Sequence, residues 1–208
     1  MLIVVEGVSA AGKTTWCRQH AGASIVPEIA PRDDAPNPLR QPVAAARFWV
    51  SQHERRWTAA RAMEQSSGLA VCDTDPLKLH YPWSLWQVGA ASQDYWHAAR
   101  DATRAAIANE ALGFAAIYLV SRIDPHIAHQ QRTADPTRSR RNFDLHVKLH
   151  QPLMAWYQAL AQVLPDEIIW HLPADGLASL PTRTTPPASQ CLQIFDQLIE
   201  TIARLRPP

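Results

Sequence analysis

The stretch Gly7-Val8-Ser9-Ala10-Ala11-Gly12-Lys13-Thr14 fits the pattern G-x-x-x-x-G-K-[ST] at every fixed position. The apolar run Leu2–Val5 precedes it and is typical of a buried strand. Thr15–Gln19 follows without glycine or proline, as the start of a helix does. Because both flanks that the pattern requires are present, we predict a turn between a strand and a helix whose backbone N–H groups cradle phosphate.

The residue types in this turn have separate physical roles. Gly7 and Gly12 allow backbone angles that a Cβ atom disfavours, so successive N–H groups can point inward. The ammonium of Lys13 supplies charge for the β- and γ-phosphates, and the hydroxyl of Thr14 is a ligand for Mg²⁺. The predicted phosphate contacts come from Gly7, Val8, Ser9, Ala10, Ala11, Gly12, Lys13, Thr14 and Thr15. The expected ligand is a nucleoside triphosphate with Mg²⁺, and no base-reading motif decides between adenine and guanine.

Composition narrows the class of protein. The 208 residues are 47% hydrophobic and 19% charged, which predicts one globular domain over residues 1–208. A net charge of +1 argues against a nucleic-acid partner or an anionic membrane surface, and no apolar run approaches the roughly 20 residues that span a bilayer. The sequence opens directly into a strand, without an export signal, and its three cysteines are widely spaced. We therefore expect a cytoplasmic protein with reduced thiols.

Alternation of strands and helices predicts an α/β fold. Five strands are expected, at Leu2–Val5, Ala23–Glu28, Gly68–Asp73, Phe114–Val120 and Glu167–Leu172. After the first helix, further helices are expected at Val43–Gln65, at Asp94–Leu112 with Gly113 as its C-cap, at Phe143–Leu164 with an interruption near Pro152, and at Ser189–Leu205. This order predicts a parallel five-stranded sheet covered by helices on both faces, with ligands at the carboxyl ends of the strands.

Carboxylates follow two of these strands at that edge. Asp73 is a candidate metal ligand, although its position also suits a cap for the turn Asp73–Pro76. Asp75 is a second candidate for the same role. Glu28 is a candidate general base for a hydroxyl acceptor, with an ordinary surface acid as the alternative. The sequence leaves open which of the three carboxylates is the base.

An arginine-rich segment follows the fourth strand, over approximately residues 122–142. It contains Arg122, Arg132, Arg138, Arg140 and Arg141. Such a segment can close over phosphates and neutralise the charge of a transition state, whereas the alternative is a solvated basic loop. Aromatic residues form a separate group, and they could either stack on a planar acceptor or pack in the core. This group comprises Tyr81, Trp83, Trp86 and Trp96.

These motifs resemble the P-loop small-molecule kinases, in particular the deoxynucleoside kinase and thymidylate kinase superfamily. The segment Val26-Pro27-Glu28 is similar to the V-P-E segment of deoxynucleoside kinases, whose glutamate is the base. Asp73-Thr74-Asp75 resembles the D-T-D of ribosylnicotinamide-kinase-type domains, because Thr74 stands where the former kinases usually have arginine. The resemblance implies a three-layer P-loop NTPase fold with an arginine-rich LID.

The resemblance also implies a phosphotransferase. On this interpretation Lys13, Glu28, Asp73, Arg132 and Arg138 are catalytic, Arg140 and Arg141 join the phosphate cradle in binding ATP, and Thr14 and Asp73 hold Mg²⁺. The expected partner is a small-molecule phosphoryl acceptor, with a nucleoside or nucleotide as the first hypothesis. A non-nucleoside hydroxyl (an antibiotic, sugar or cofactor precursor) and an acceptor-independent regulatory ATPase are the alternatives. The oligomeric state stays open, a homodimer being one alternative.

Overall fold

The computed structural model of the protein describes residues 1–30, 32–122, 145 and 148–205. A single sheet of five parallel strands forms its centre. The strands are β1 (Leu2–Glu6), β2 (Ile25–Val26), β3 (Ala70–Asp73), β4 (Ile117–Val120) and β5 (Ile168–Ile169). Their order across the sheet is β2-β3-β1-β4-β5, so the strand before the phosphate-binding motif occupies the middle. The predicted α/β fold with a parallel five-stranded sheet is confirmed.

Helices cover both faces of the sheet. They are α1 (Lys13–His20), α2 (Pro42–Ser67), α3 (His80–Gln87), α4 (Gln93–Ala108), α5 (His150–Val163) and α6 (Ala188–Arg204). Alternate residues of β1 face opposite sides, because side chains alternate along a strand. Leu2 and Val4 pack with Trp57 of α2 and Trp156 of α5. On the other face Ile3 and Val5 pack with residues of α1, namely Trp16 and Cys17. Among the described residues, no helix combines the length and the apolar character needed to cross a membrane.

The helix boundaries follow local signals. Helix α2 ends where Gly68 adopts φ +79° and donates its N–H to the carbonyl of Glu64 at 2.8 Å. At the start of α4, the hydroxyl of Ser92 accepts the N–H of Tyr95 at 3.2 Å. Strand β2 is an edge strand of the sheet, and it ends directly before Pro27, which cannot donate to a ladder.

Of two sequence-based details of the helices, one is wrong and one is confirmed. Helix α4 ends at Ala108 with Asn109 as its C-cap, so Gly113 does not cap it. Gly113 is instead required by packing, because a Cβ atom there would lie 2.7 Å from the ring of Trp57. The predicted interruption near Pro152 is confirmed: Leu145 and Lys148 are helical, Leu149 is a turn, and α5 begins at His150. Pro152 lies in the first turn of α5, where its missing N–H has no intrahelical partner to lose.

Candidate active site

One cavity of about 960 Å³ opens at the carboxyl end of the sheet. Its wall includes the phosphate-binding motif, from Glu6 to Thr15, together with residues of α2 and of the segment leading into α3. Glu28, directly after β2, also lines it. The residues expected to bind phosphate and the carboxylate expected to act as base therefore border the same space.

The phosphate-binding motif has the backbone conformation that an anion cradle needs. Gly12 has φ +79° and Ala10 has φ +71°, both in the left-handed region. Gly7 is further constrained by packing, because a Cβ atom there would lie 3.0 Å from the Cβ of Ser121. Helix α1 begins at Lys13, so its positive end points at the same loop. The turn between strand and helix is present as the motif predicts.

Lys13 folds over its own loop. Its Nζ donates to the carbonyl of Gly7 at 2.6 Å and to that of Val8 at 2.9 Å. Burial lowers the pKa of Lys13, while the neighbouring carboxylates of Glu6, Glu28 and Asp73 oppose that shift. The ammonium thus donates to two neutral carbonyl oxygens. A phosphate oxygen can take their place, because it accepts a stronger, charge-assisted hydrogen bond.

Glu6 is a buried carboxylate at the centre of the site, with 1% of its surface exposed. It accepts hydrogen bonds from the N–H of Gly7 at 2.9 Å, the N–H of Asp75 at 3.0 Å and Nε2 of His80 at 3.1 Å. Burial alone would raise the pKa of Glu6, but Lys78 and His80 hold it well below its usual range. The carboxylate thus joins β1, the segment after β3 and the start of α3.

Arg56 of α2 is a buried cation that holds two strand ends together. Its guanidinium donates to the backbone carbonyls of Pro27 at 2.8 Å, Asp73 at 2.6 Å and Thr74 at 2.8 Å. It also reaches the carbonyl of Val26 at 3.3 Å. The ends of β2 and β3 are therefore fixed from the same side chain, and Glu28 follows directly from one of them.

The carboxylates predicted from the sequence have different surroundings. Glu28 lines the cavity, and its Oε1 accepts Nζ of Lys78 at 3.0 Å. Burial pushes the pKa of Glu28 upward, but the charge and hydrogen bond of Lys78 outweigh it and lower the pKa below its usual value. Glu28 is consequently ionised at neutral pH and able to accept a proton.

Asp73 and Asp75 are both buried, and neither is among the described residues that line the cavity. Asp75 is occupied structurally: it accepts the N–H of Leu77 at 2.9 Å and the hydroxyl of Tyr157 at 3.1 Å. Asp73 differs, since its Oδ1 is buried without a hydrogen-bond partner among the described residues. A buried carboxylate oxygen in that state fits a nearby cation or its bound water.

A Mg²⁺ site at the phosphate cradle fits these residues. Thr14 lines the cavity and Asp73 carries the unpartnered oxygen, so they are the residues that would hold the ion. Within the described ranges, no group of three or more His, Cys, Asp or Glu side chains could hold a metal, so the remaining ligands would be phosphate oxygens and water.

The aromatic residues divide between the core and the cavity. Trp83 and Trp96 are buried and pack against Trp156, with ring centroids 5.8 and 6.4 Å apart. Of the four aromatic candidates, only Tyr81 is among the described cavity-lining residues. Trp49, which no sequence motif singles out, also lines the cavity, and its ring stacks on that of His53 with centroids 6.4 Å apart at an interplanar angle of 26°.

His53 carries an unusual polar atom in the same wall. Its Nδ1 is buried without a hydrogen-bond partner among the described residues. Burial, together with the charges of Lys78 and Arg56, lowers the pKa of His53 to about 3. The ring is therefore neutral at physiological pH.

The arginine-rich segment is largely outside the described part of the chain. Arg132, Arg138, Arg140 and Arg141 all fall there, and their roles stay predictions. Arg122 is described, and its guanidinium lies 3.8 Å from the ring centroid of Trp170 in a cation–π contact.

Together, the parallel sheet, the phosphate-binding turn before α1 and the cavity at the strand ends define an α/β protein with the fold of the P-loop deoxynucleoside kinases. No family model and no curated protein matches the sequence. Among solved structures, the chain is similar to the deoxyadenosine kinase of M. mycoides, with products dCMP and a flexible dCDP bound: TM-score 0.57, 14% identity, and 99% of this chain and 98% of that chain covered.

The same kinase with dCTP bound gives a TM-score of 0.57 at 13% identity, with 99% of this chain and 98% of that chain covered. The structure with dATP bound gives 0.52 at 13% identity, with 99% of each chain covered. The likeness thus extends over the whole of both chains and establishes the fold.

Proposed function

We propose that the protein is an ATP-dependent kinase that transfers the γ-phosphoryl group to a hydroxyl of a nucleoside or nucleotide. The observation that carries this proposal is the continuity of one cavity from the phosphate-binding motif to Glu28. A nucleotide that lies along Gly7–Thr15 would direct its terminal phosphate into the space that Glu28 borders. Such an arrangement suits transfer between two bound molecules, because catalysis of phosphoryl transfer depends mainly on positioning and charge.

The reaction balances with groups on this chain. The acceptor hydroxyl oxygen bonds to the γ-phosphorus of ATP, the bond from that phosphorus to the β,γ-bridging oxygen breaks, and ADP leaves. The hydroxyl proton passes to the ionised carboxylate of Glu28, whose lowered pKa keeps it free of protons beforehand. Lys13 neutralises charge on the phosphates. Mg²⁺, when bound, offsets the negative charge of the β- and γ-phosphate oxygens.

A nucleoside acceptor is supported by the part of the cavity wall that α2 and α3 form. Trp49, Tyr81 and His53 line the cavity there, and the His53 ring is neutral. A nucleobase is planar, uncharged and rich in hydrogen-bonding groups, so it matches both features. The M. mycoides kinase with this fold has structures with dATP, dCTP and dCMP bound, which supports the same interpretation.

The test is ATP consumption with Mg²⁺, measured against deoxynucleosides, ribonucleosides, nucleoside monophosphates and hydroxylated non-nucleosides. Turnover that depends on a nucleoside or nucleotide supports the proposal. Turnover that depends on a sugar, an antibiotic or a cofactor precursor would keep the kinase but replace the acceptor class. Steady ATP loss without any acceptor would contradict transfer and favour a regulatory ATPase. Lys13→Ala, purified in parallel, controls for a contaminating ATPase.

A further inference from the structure

Lys78 is a cation held between two carboxylates inside the cavity. Its Nζ lies 3.0 Å from Oε1 of Glu28 and 3.9 Å from Oε2 of Glu6, and Lys78 is itself a lining residue. The backbone is held in an unusual conformation at this residue, with φ +46°. A non-glycine residue in the left-handed region is costly, and such residues cluster at functional sites. The strained backbone thus belongs to a residue that lines the cavity.

The two carboxylates hold Lys78 unequally. Glu6 already accepts from Gly7, Asp75 and His80, so it keeps three donors if the lysine moves away. Glu28 has 52% of its side-chain surface exposed, so water can replace the lysine there. Because neither carboxylate would be left buried and unpaired, movement of the ammonium toward a new anion costs little.

We propose that Lys78 is a catalytic residue whose ammonium leaves Glu28 and binds the phosphoryl group as that group moves to the acceptor. This inference rests on the proposed function. In the resting site Lys78 pairs with Glu28, and in the reaction its ammonium binds an oxygen of the transferring phosphoryl. The acceptor oxygen forms its bond to phosphorus, the bond to the leaving ADP breaks, and the acceptor proton moves to the carboxylate that Lys78 has released.

The exchange also adjusts the base. While Lys78 is bound, its charge and hydrogen bond lower the pKa of Glu28 against the effect of burial. Once the ammonium has turned to the phosphoryl group, that lowering weakens and the carboxylate becomes a stronger base. The side chain of Lys78 therefore keeps Glu28 ionised before transfer and lets it become a stronger base during transfer.

A purely structural role for Lys78 would be to neutralise Glu6, and it makes a different prediction. A neutralising lysine would affect the binding of a nucleoside and of its monophosphate alike, whereas a phosphoryl-binding lysine affects the monophosphate selectively. The two roles also differ in pH dependence, since only the pairing with Glu28 moves the acid limb of the rate profile.

The experiment compares the wild type with Lys78→Met and Lys78→Arg by calorimetric titration with deoxyadenosine and deoxycytidine, and with dAMP and dCMP. Arg104→Met is the matched control, because Arg104 forms a cation–carboxylate pair with Asp196 at 2.8 Å and is not a lining residue of the described cavity. Lys78→Met is expected to lower the affinity for the monophosphates about 10- to 100-fold, which corresponds to the loss of one charged hydrogen bond. The affinity for the nucleosides should stay within about twofold. Lys78→Arg should restore part of the affinity, and Arg104→Met should change neither.

Turnover against pH is the second readout. In Lys78→Met the acid limb of kcat/KM should move to higher pH, because Glu28 loses the group that lowers its pKa. Equal weakening of nucleosides and monophosphates, or an unmoved acid limb, would overturn the role of Lys78 and leave the proposed kinase intact. A wild type that binds none of the four probes would overturn the nucleoside acceptor and this inference with it. Lys78→Arg, which retains the charge, separates these outcomes from misfolding of Lys78→Met.

Discussion

Arg56 donates from its guanidinium to the backbone carbonyl of Asp73 at 2.6 Å, from the middle of α2 to the end of β3. The same side chain reaches Pro27 and Thr74, so one residue positions the segments that carry Glu28 and Lys78. Its hydrogen bonds to described residues are almost all with backbone oxygens, which makes it a structural cation in the cavity wall.

Replacing Arg56 by Met should lower the free energy of unfolding by about 2–4 kcal/mol, because several buried carbonyls lose their donor. Chemical denaturation followed by circular dichroism measures this loss. Arg55→Met is the matched control, since Arg55 is the exposed neighbour and its replacement should stay within about 0.5 kcal/mol. Equal losses in the two variants would show that the hydrogen bonds of Arg56 to the carbonyls do not contribute to the free energy of unfolding.

Lys13→Ala should reduce ATP turnover by about 10²- to 10³-fold, the range observed when a charge-stabilising group is removed. Stability should change little, because the hydrogen bonds of Lys13 to described residues go to the carbonyls of its own loop. Initial rates with saturating acceptor, together with a thermal unfolding curve, check both parts. An active Lys13→Ala enzyme would contradict the assignment of the phosphate cradle.

Glu28→Gln should lower kcat by about 10²- to 10⁴-fold while ATP binding is unchanged, as expected for loss of a general base. In the wild type, activity should fall only as the pH drops through the lowered pKa of Glu28, below the usual 4.5 of a glutamate. Asp75→Asn is the comparison, because Asp75 is bonded to Leu77 and Tyr157 and should affect stability more than kcat. A larger loss of kcat in Asp75→Asn would move the base to Asp75.

His53 should make the protein less stable in acid. Its pKa is about 3 in the folded state and about 6.5 when unfolded, so the unfolded chain binds the extra proton as the pH falls below 6.5. The stability that neutral His53 provides is complete above pH 6.5 and decreases toward pH 3, by at most about 1.4 kcal/mol per pH unit. Relative to the wild type, His53→Gln should flatten that decrease. His171→Gln, at an exposed histidine, should leave the slope unchanged.

Local patterns in the sequence predict the fold and half of the site. The five strands, the phosphate-binding turn and the start of α1 are visible because apolar runs, glycines and a fixed spacing are local signals. The placement of Glu28 on the cavity also follows from the order of strands, since the ends of parallel strands share an edge.

The rest of the site depends on contacts that are distant in the sequence. Lys78 contacts Glu28, 50 positions away in the sequence, and His80 contacts Glu6, 74 positions away. No local spacing in the sequence predicts either pair. One local feature of the sequence indicates Glu6: a charged residue ends an apolar strand directly before the phosphate-binding motif. Trp83 and Trp96 could not be assigned to core or cavity from composition, because the same aromatic rings suit both.

The middle position of β1 has a consequence for biosynthesis. This strand is made before either neighbour, and β3 and β4 begin only at Ala70 and Ile117. At roughly 5–20 residues per second, an apolar strand waits several seconds on the ribosome before its second partner is translated. Because Gly7 of the phosphate-binding motif packs on Ser121, which follows β4, this turn is complete only after that interval.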